Sequence, residues 1–332
     1  MKRILWALLA CVLVLTGCKG KAKRNLLPNV SGKAGEVLVV IEKADWEAEL
    51  GSAIREALGS DTPYLAQREP LFSLSNVPPG SFSNNMFKVH RNILLVSINP
   101  QGLSFGVQYH NNVWAQPQAV IQINAPSSAE ALTLFQETAS KAAEFFEQSE
   151  RDRIIANAKL YEERQLRAPV EKVTGGILHF PSGYVCRKYT DDFVWIADEK
   201  QYTNQTVLIY KYPATDAAFT LEGIIAERDA VMKANVPGPS AGSYMTTSLA
   251  QEPTLQSLRY RGRAFMETRG FWEVQGDFMG GPFVSHSFYS PDGQYIIVLE
   301  AFVYAPRYDK RQYLRQVEAL LYSFEWVKED EK

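Results

Sequence analysis

Three arginines at alternate positions are the most distinctive charged residues of the sequence. Arg259, Arg261 and Arg263 occupy every second position of the run Leu258–Met266. Successive side chains of a β-strand point to opposite faces, so this pattern predicts three guanidinium groups in a row on one face. A guanidinium can hold a carboxylate or phosphate through two parallel hydrogen bonds. The row predicts either a binding site for an anionic ligand or a solvated sheet face paired with acids of a neighbouring strand.

The residues around and after this row are rich in aromatic side chains: Phe265, Phe271, Trp272, Phe278 and Phe283. Exposed rings would stack on a sugar or pack against a partner, whereas buried rings would belong to the core. The candidate ligand-binding set is therefore Trp272 together with Arg259, Arg261 and Arg263.

Patterns for catalysis or metal binding are missing from the sequence. Its four histidines share no metal-ligand spacing: His90, His110, His179 and His286. A Gly-x-Ser-x-Gly pattern occurs at Gly238–Gly242, but it follows a predicted helix instead of the strand that a nucleophile elbow needs, and no glycine-rich phosphate loop occurs. In Ser285-His286-Ser287 the histidine would point away from both serines in a strand. We therefore expect no catalytic residue, metal or cofactor. The alternative is a site assembled from residues that lie far apart in the sequence.

The first residues have the parts of a secretory signal. Lys2 and Arg3 precede an apolar run, Ile4–Leu15, that is too short for the roughly 20 residues of a membrane-spanning helix. The segment Leu15-Thr16-Gly17-Cys18 resembles the bacterial lipobox. This resemblance implies cleavage after Gly17 and lipid attachment to Cys18, with a flexible tether over 18–34. The alternative is an ordinary signal with a coincidental cysteine.

The residues after Cys18 bear on the location of the protein. The run Lys19–Arg24 is basic, and Lys19 differs from the aspartate that retains lipoproteins in the inner membrane. The acidic stretch of surface-exported lipoproteins is also missing. We therefore expect anchoring at the periplasmic face of the outer membrane, with the membrane itself and an envelope protein as partners.

Composition excludes several classes of protein. The 332-residue chain has 46% hydrophobic and 22% charged residues, as an ordinary globular protein does. Its 35 basic and 37 acidic residues do not favour nucleic-acid binding. Cys11 leaves with the signal and Cys18 carries lipid, so Cys186 has no partner for a disulfide within the chain. Its strand-like surroundings predict a buried thiol.

The first predicted domain spans 35–168. Strands are predicted at Val37–Ile41, Ile93–Ile98 and Val120–Ile123, where continuous β-branched runs favour burial on both faces. Alternation from Leu103 to Tyr109 predicts a half-buried strand, with a short helix as the alternative. Asp45 is predicted to cap a helix over 46–58.

A capping box at Ser127 and Glu130 begins the longest predicted helix, which continues to about Arg167 or breaks near 148–152. Glu137–Lys141 and Glu147–Arg151 are predicted to pair along it.

The second predicted domain spans 169–328, with its boundary at Ala168-Pro169. Antiparallel strands, a helix from Leu221, four further strands and a final helix around Leu314–Leu321 follow one another. The sequence therefore predicts an α+β protein of two α/β sandwich-type domains, the second with an antiparallel sheet packed by helices.

Two families resemble the chain, one over its second half and the other over nearly its whole length. The element order over 177–326 is similar to the Mog1/PsbP-like sandwich, which implies a binding or assembly module. The segments Asn29–Ile41, Asp45-Trp46, Trp114–Gln118 and Gly280–Pro282 resemble the DUF4837 lipoproteins of Bacteroidetes. That resemblance implies no known activity, catalytic residue or ligand.

The predicted function is therefore that of a lipid-anchored periplasmic protein that binds an envelope protein or assists assembly. Whether the chain is an enzyme stays open, although the missing motifs favour a non-catalytic protein. Binding of a glycan or an anionic small molecule is one alternative. A hydrolase with a site assembled from distant residues is another.

Overall fold

The computed structural model of the chain describes residues 26–216 and 218–327. The predicted cleavage site after Gly17 and the predicted lipidated Cys18 lie outside these ranges. Within them, two large sheets with helices packed against them confirm the predicted α+β class. None of the helices in these ranges is both long enough and apolar enough to cross a bilayer.

The N-terminal half is built on a five-stranded, mostly parallel sheet. Its strands are β1 (Glu36–Val40), β2 (Ser73–Val77), β3 (Asn92–Ile98), β4 (Gly106–Asn111) and β5 (Ala119–Ala125), in the spatial order β2-β1-β3-β5-β4. Strand β4 is antiparallel to β5, and the other pairs are parallel. The apolar runs of β1, β3 and β5 are largely buried, as predicted. The edge strand β2 was not predicted, because Ser73, Ser75 and Asn76 interrupt its apolar pattern.

Three short helices belong to this half: α1 (Lys43–Glu47), α2 (Glu49–Leu58) and α3 (Asn85–Lys88). The single helix predicted over 46–58 is wrong, because the chain breaks at Ala48 with φ −95° and ψ −167°. Asp45 lies inside α1 instead of capping a helix, and its carboxylate accepts a hydrogen bond from Ser128. Gly51 permits the break, since a Cβ there would lie 1.9 Å from the carbonyl oxygen of Trp46.

The long helix α4 (Ser128–Leu160) joins the two halves. It begins as predicted, with the Ser127 side chain accepting a hydrogen bond from the backbone N–H of Glu130. The helix is continuous where a break was the alternative, and it ends before Arg167. Phe135 lies in the core of the five-stranded sheet, whereas Ile155 lies in the core of the C-terminal half. One helix therefore contributes to both cores.

The C-terminal half is built on an eight-stranded antiparallel sheet. Its strands are β7 (Val185–Tyr189), β8 (Phe193–Lys200), β9 (Thr203–Pro213), β10 (Tyr244–Thr247), β11 (Thr254–Tyr260), β12 (Arg263–Gln275), β13 (Gly280–Tyr289) and β14 (Tyr295–Tyr304). The spatial order is β10-β12-β13-β14-β9-β8-β7, and β11 also pairs with β12. A separate two-stranded sheet joins β6 (Gly176–Ile177) to β15 (Glu325–Trp326).

Both faces of the eight-stranded sheet are covered. The helices are α5 (Arg167–Thr174), α6 (Leu221–Asn235) and α7 (Arg311–Leu321). Met232 of α6 packs with Trp272 of β12 on one face, and Leu314 of α7 packs with Phe265 of β12 in the core of the other. The predicted antiparallel sheet packed by helices is thus confirmed.

Charged side chains attach α7 to the N-terminal half. The buried carboxylate of Glu69 accepts hydrogen bonds from the backbone N–H groups of Lys310 and Arg311, at 2.7 and 2.8 Å. Arg315 donates to both carboxylate oxygens of Glu147 on α4. Acids at the start of a helix are stabilising, because the first N–H groups have no partner within the helix.

Two predicted boundaries differ from the structure in detail. The end of the predicted tether is paired with the chain before β3, since the N–H of Ser31 donates to Val89 and its carbonyl accepts from Arg91. Ala168 and Pro169 lie inside the first turn of α5. A proline there loses no helical hydrogen bond, so it does not break the element. The division into two domains stays a prediction.

Candidate functional site

A cleft of about 890 Å³ lies between the two halves. We call it the inter-half cleft. Helix α4 and strand β4 form one wall, and strands β11 and β12 with the residue after α7 form the other. Its charged and tyrosine residues are Tyr109, Lys141, Glu144, Glu147, Arg151, Arg259, Tyr260, Glu267, Arg269 and Tyr322.

Arg269 lies at the cleft between two acids. It donates to Glu267 at 2.7 Å and to Glu318 of α7 at 2.6 Å. Burial opposes the charge of Arg269, but the two carboxylates outweigh this and raise its pKa well above the ordinary value. Burial likewise opposes ionisation of Glu267, yet His286 and Arg269 hold the pKa of this carboxyl well below its usual range. The single cation Arg269 is thus fully paired, and together with its two carboxylates it leaves no positive charge for a ligand.

His286 lies behind this network and does not line the cleft. Its ring packs on Phe265, with centroids 4.1 Å apart, and its Nε2 lies 3.7 Å from Glu267. Burial lowers the pKa of His286, so the imidazole is neutral at pH 7. Ser285 and Ser287 are paired with the strand positions on either side of Glu267, which face the opposite side of the sheet. No serine nucleophile therefore accompanies this histidine.

Arg151 of α4 is a cation of the cleft without a carboxylate partner among the described residues. Its guanidinium lies 3.9 Å from the ring centre of Tyr322 and donates to the side-chain oxygen of Gln148 at 2.7 Å. Sequence analysis paired it with Glu147, but Glu147 binds Arg315 instead. A guanidinium stacked on a tyrosine is held in place while its charge stays available.

Lys141 and Arg259 add two further cations. Lys141 is exposed, and its Nζ lies 4.7 Å from the ring centre of Tyr109 instead of pairing with Glu137. Arg259 is exposed on β11. Across the described parts of the chain, neither these residues nor Arg151 forms an ion pair with a carboxylate. The exposed Glu144 partly offsets their charge.

The predicted row of three arginines on one strand face is wrong. Strand β11 ends at Tyr260 and β12 begins at Arg263, so Arg261 lies in the turn between them with φ +47°. Gly262 follows with φ +87°, and the two strands pair antiparallel from Tyr260 and Arg263 onward. The alternating pattern therefore crosses a hairpin, and only Arg259 among the three lines the inter-half cleft.

Arg261 and Arg263 line a second, smaller cavity of about 360 Å³, which we call the hairpin groove. Arg261 is exposed and forms an ion pair with Asp152 at 3.2 Å. Arg263 is half-buried and donates to the backbone carbonyls of Leu321 and Phe324, at 3.2 and 3.4 Å. It thereby binds carbonyls at the end of α7, a position that favours a cation.

Trp272 is not an exposed stacking surface. Its side chain is 2% exposed, and its ring packs on Phe302 with centroids 5.2 Å apart. It belongs to the core beneath α6, so its predicted role in ligand binding is not supported by its position. Phe278 is the fully exposed ring of the predicted aromatic group.

The remaining cysteine is not buried as predicted. Cys186 is exposed on β7, the edge strand of the eight-stranded sheet. Its neighbours Val185 and Arg187 are exposed as well. Throughout residues 26–216 and 218–327, no group of three or more His, Cys, Asp or Glu side chains is arranged to hold a metal ion.

Two family models match the chain, one in each half. Residues 30–159 match a domain of unknown function, DUF8532. Residues 163–323 match a second domain of unknown function, DUF4837. The C-terminal half is thus a DUF4837 domain, and the predicted resemblance is confirmed. The segments Asn29–Ile41 and Trp114–Gln118 fall largely within the DUF8532 match, while Gly280–Pro282 falls within DUF4837.

No curated protein matches the sequence. Among similar solved structures, a protein from Bacteroides thetaiotaomicron VPI-5482 is 10% identical with a TM-score of 0.21, over 48% of this chain and 49% of that one. The match thus spans about half the length of that protein. The human StarD13 (DLC2) lipid transfer and protein localization domain is 10% identical with a TM-score of 0.22, over 48% of this chain and 94% of that domain. Scores this low do not indicate a common fold, and the Mog1/PsbP-like resemblance stays a prediction.

Proposed function

We propose that this chain is a lipid-anchored envelope protein that binds an anionic ligand in the inter-half cleft without catalysing a reaction. The observation that carries the proposal is the cation Arg151. It lies in the cleft, stacked on Tyr322, with no carboxylate partner among the described residues. An anion entering the cleft would supply the missing counter-charge.

The position of Arg151 favours binding for two reasons. Its contacts with Tyr322 and Gln148 fix the guanidinium before a ligand arrives, so little side-chain entropy is lost on binding. The cleft is also partly shielded from water, which strengthens the attraction between opposite charges. Lys141 and Arg259 at the same cleft would contact further acidic groups of the ligand.

Calorimetric titration of the full chain in detergent with galacturonate, glucose 6-phosphate and sulfate tests the proposal. We expect saturable binding of at least one anion, and about tenfold weaker binding by Arg151→Gln, because a charge-assisted hydrogen bond is lost. Arg187→Gln, on the far edge of the eight-stranded sheet, is the matched control and should bind as the parent does. Binding that is unchanged in Arg151→Gln would place the ligand elsewhere.

The lipid anchor rests on the lipobox-like residues Leu15–Cys18. Cells supplied with labelled palmitate should incorporate the label into the full chain and not into Cys18→Ala. Two or more acyl chains on Cys18 would make membrane attachment stable. Label that persists in Cys18→Ala would refute attachment at this residue.

Binding of an envelope protein is the second candidate function. Leu249 and Phe278 are 86% and 107% exposed, and each lies next to or within the lining of a cavity of about 720 Å³ near Trp272. Exposed apolar side chains of this size favour contact with a partner. A photo-crosslinking residue in place of Phe278 in the anchored protein should capture one defined envelope protein. The same residue in place of Arg187 should not.

A hydrolase is not supported by the geometry of the histidines. His286 contacts Glu267 from behind the cleft, and His179 binds Glu162 at 2.7 Å while also buried. Neither histidine lines the inter-half cleft.

A further inference from the structure

We propose that the ligand is an anionic glycan chain that extends from the inter-half cleft into the hairpin groove. This inference rests on the proposed function and adds the class and the length of the ligand. The observation that carries it is that the two cavities share a wall: Tyr260 and Tyr322 line both of them.

The shared wall has a cation on each side. The rings of Tyr260 and Tyr322 meet edge to face with centroids 4.9 Å apart. On the cleft side Arg151 lies 3.9 Å from the ring centre of Tyr322. On the groove side Arg261 lies 5.2 Å from the ring centre of Tyr260. A ligand with acidic groups at intervals would therefore meet a guanidinium in each cavity.

The hairpin groove has its own buried cation. The guanidinium of Arg263 lies 4.9 Å from the ring centres of both Phe288 and Phe324, and its Nε has no hydrogen-bond partner. Burial without a carboxylate lowers the pKa of Arg263 to about 10, which still leaves it charged at neutral pH. The groove thus offers a second guanidinium that no carboxylate among the described residues pairs with.

A weak contact lies at the divide between the cavities. Arg261 and Asp152 pair at 3.2 Å with side chains 61% and 50% exposed. Exposed pairs of this kind contribute little free energy. A carboxylate of the ligand can therefore replace Asp152 as the partner of Arg261 at small cost.

The groove favours a sugar chain over a nucleic acid. Trp326 lines it and is 38% exposed, which leaves part of the indole free to pack on a sugar ring. The 35 basic and 37 acidic residues of the chain lack the basic excess that is typical of nucleic-acid binding. A carboxylate-bearing sugar presents a group that a guanidinium binds through two parallel hydrogen bonds.

Titration of the full chain in detergent with galacturonic acid and its dimer, trimer and tetramer tests the inference. Affinity should rise about tenfold or more from monomer to the longest oligomer. An oligomer that is already bound in the inter-half cleft makes its contact in the hairpin groove as an intramolecular step, which costs less than binding a second molecule. Arg261→Asn should remove this gain with chain length; asparagine tolerates the positive φ at this position. Arg151→Gln should weaken every length, and Arg187→Gln none.

The outcomes separate the two proposals. If the monomer binds as tightly as the tetramer, or Arg261→Asn behaves as the parent, the extended ligand is refuted while anion binding in the cleft stands. If no anion binds at all, the proposed function fails and the inference with it. Equal binding of an uncharged malto-oligosaccharide series, or of oligothymidylate of matched charge, would refute the anionic glycan as the class.

Discussion

The two faces of the eight-stranded sheet each bury an arginine against a strand carboxylate, yet they differ in what lies beside the pair. Under α6, Arg228 binds Glu300 at 2.8 and 3.0 Å, and both side chains are at most 1% exposed. Under α7, Arg269 binds Glu267 and Glu318 at the inter-half cleft. One pair is sealed within the protein, and the other borders open space.

The difference shows which charged side chains are available to bind a ligand. Around Arg228 every partner belongs to the fold, including Thr247 at 2.9 Å and the face of Phe283 at 4.0 Å. Arg269 is just as fully paired, but Arg151 beside it is not. A buried ion pair is therefore a poor marker of a binding site. An unpaired cation next to a cleft is a better one.

The largest expected effect comes from breaking the sealed pair. Arg228→Met leaves Glu300 buried without its counter-charge and should lower the free energy of unfolding by about 3–5 kcal/mol, measured by urea denaturation. The double variant Arg228→Met with Glu300→Met should recover most of the loss. A single variant as stable as the parent would show that water reaches Glu300.

Acid should weaken the cleft-side network through Glu267. Because its folded pKa is depressed, this carboxylate stabilises the protein above its unfolded pKa, and that contribution is lost as the pH falls below about 4. Glu267→Gln should cost about 1–3 kcal/mol at pH 7 and progressively less towards pH 3. Chemical denaturation across this range measures it. The exposed Glu144→Gln should change stability by about 0.5 kcal/mol or less, and an equal pH dependence in both variants would contradict the assignment.

Among the three charge pairs, the smallest effect is expected for the exposed pair at the turn. Arg261→Asn should change the free energy of unfolding by about 1 kcal/mol or less, because Arg261 and Asp152 are both solvated. A double-mutant cycle with Asp152→Asn measures their coupling. A coupling free energy as large as the loss of stability in Arg228→Met would contradict the expected difference between exposed and sealed ion pairs.

Much of the fold could be predicted where local pattern and burial agree. The Ser127–Glu130 capping box places the start of α4, and the continuous apolar runs place β1, β3 and β5. The prediction of one strand through the three arginines was wrong, because an alternating pattern can continue across a two-residue turn. Gly262 was the signal, since a glycine after Arg261 permits the positive φ that the hairpin needs.

The inter-half cleft could not be predicted, because it joins residues from Leu71 to Tyr322. Sequence spacing predicted a pair between Glu147 and Arg151, whereas in the structure Glu147 binds Arg315 of α7. The spacing of residues within one helix does not show whether a residue from a distant part of the sequence binds the same carboxylate. The availability of Arg151 is a property of the tertiary structure alone.

The capping of α7 by Glu69 crosses the boundary between the two family matches. The family matches meet between 159 and 163, yet the first backbone N–H groups of α7 are satisfied by a residue more than two hundred positions upstream. A DUF4837 fragment expressed from residue 163 would begin its last helix with two orphaned donors. The stability of the last helix therefore depends on a residue that lies outside the family match in which the helix falls.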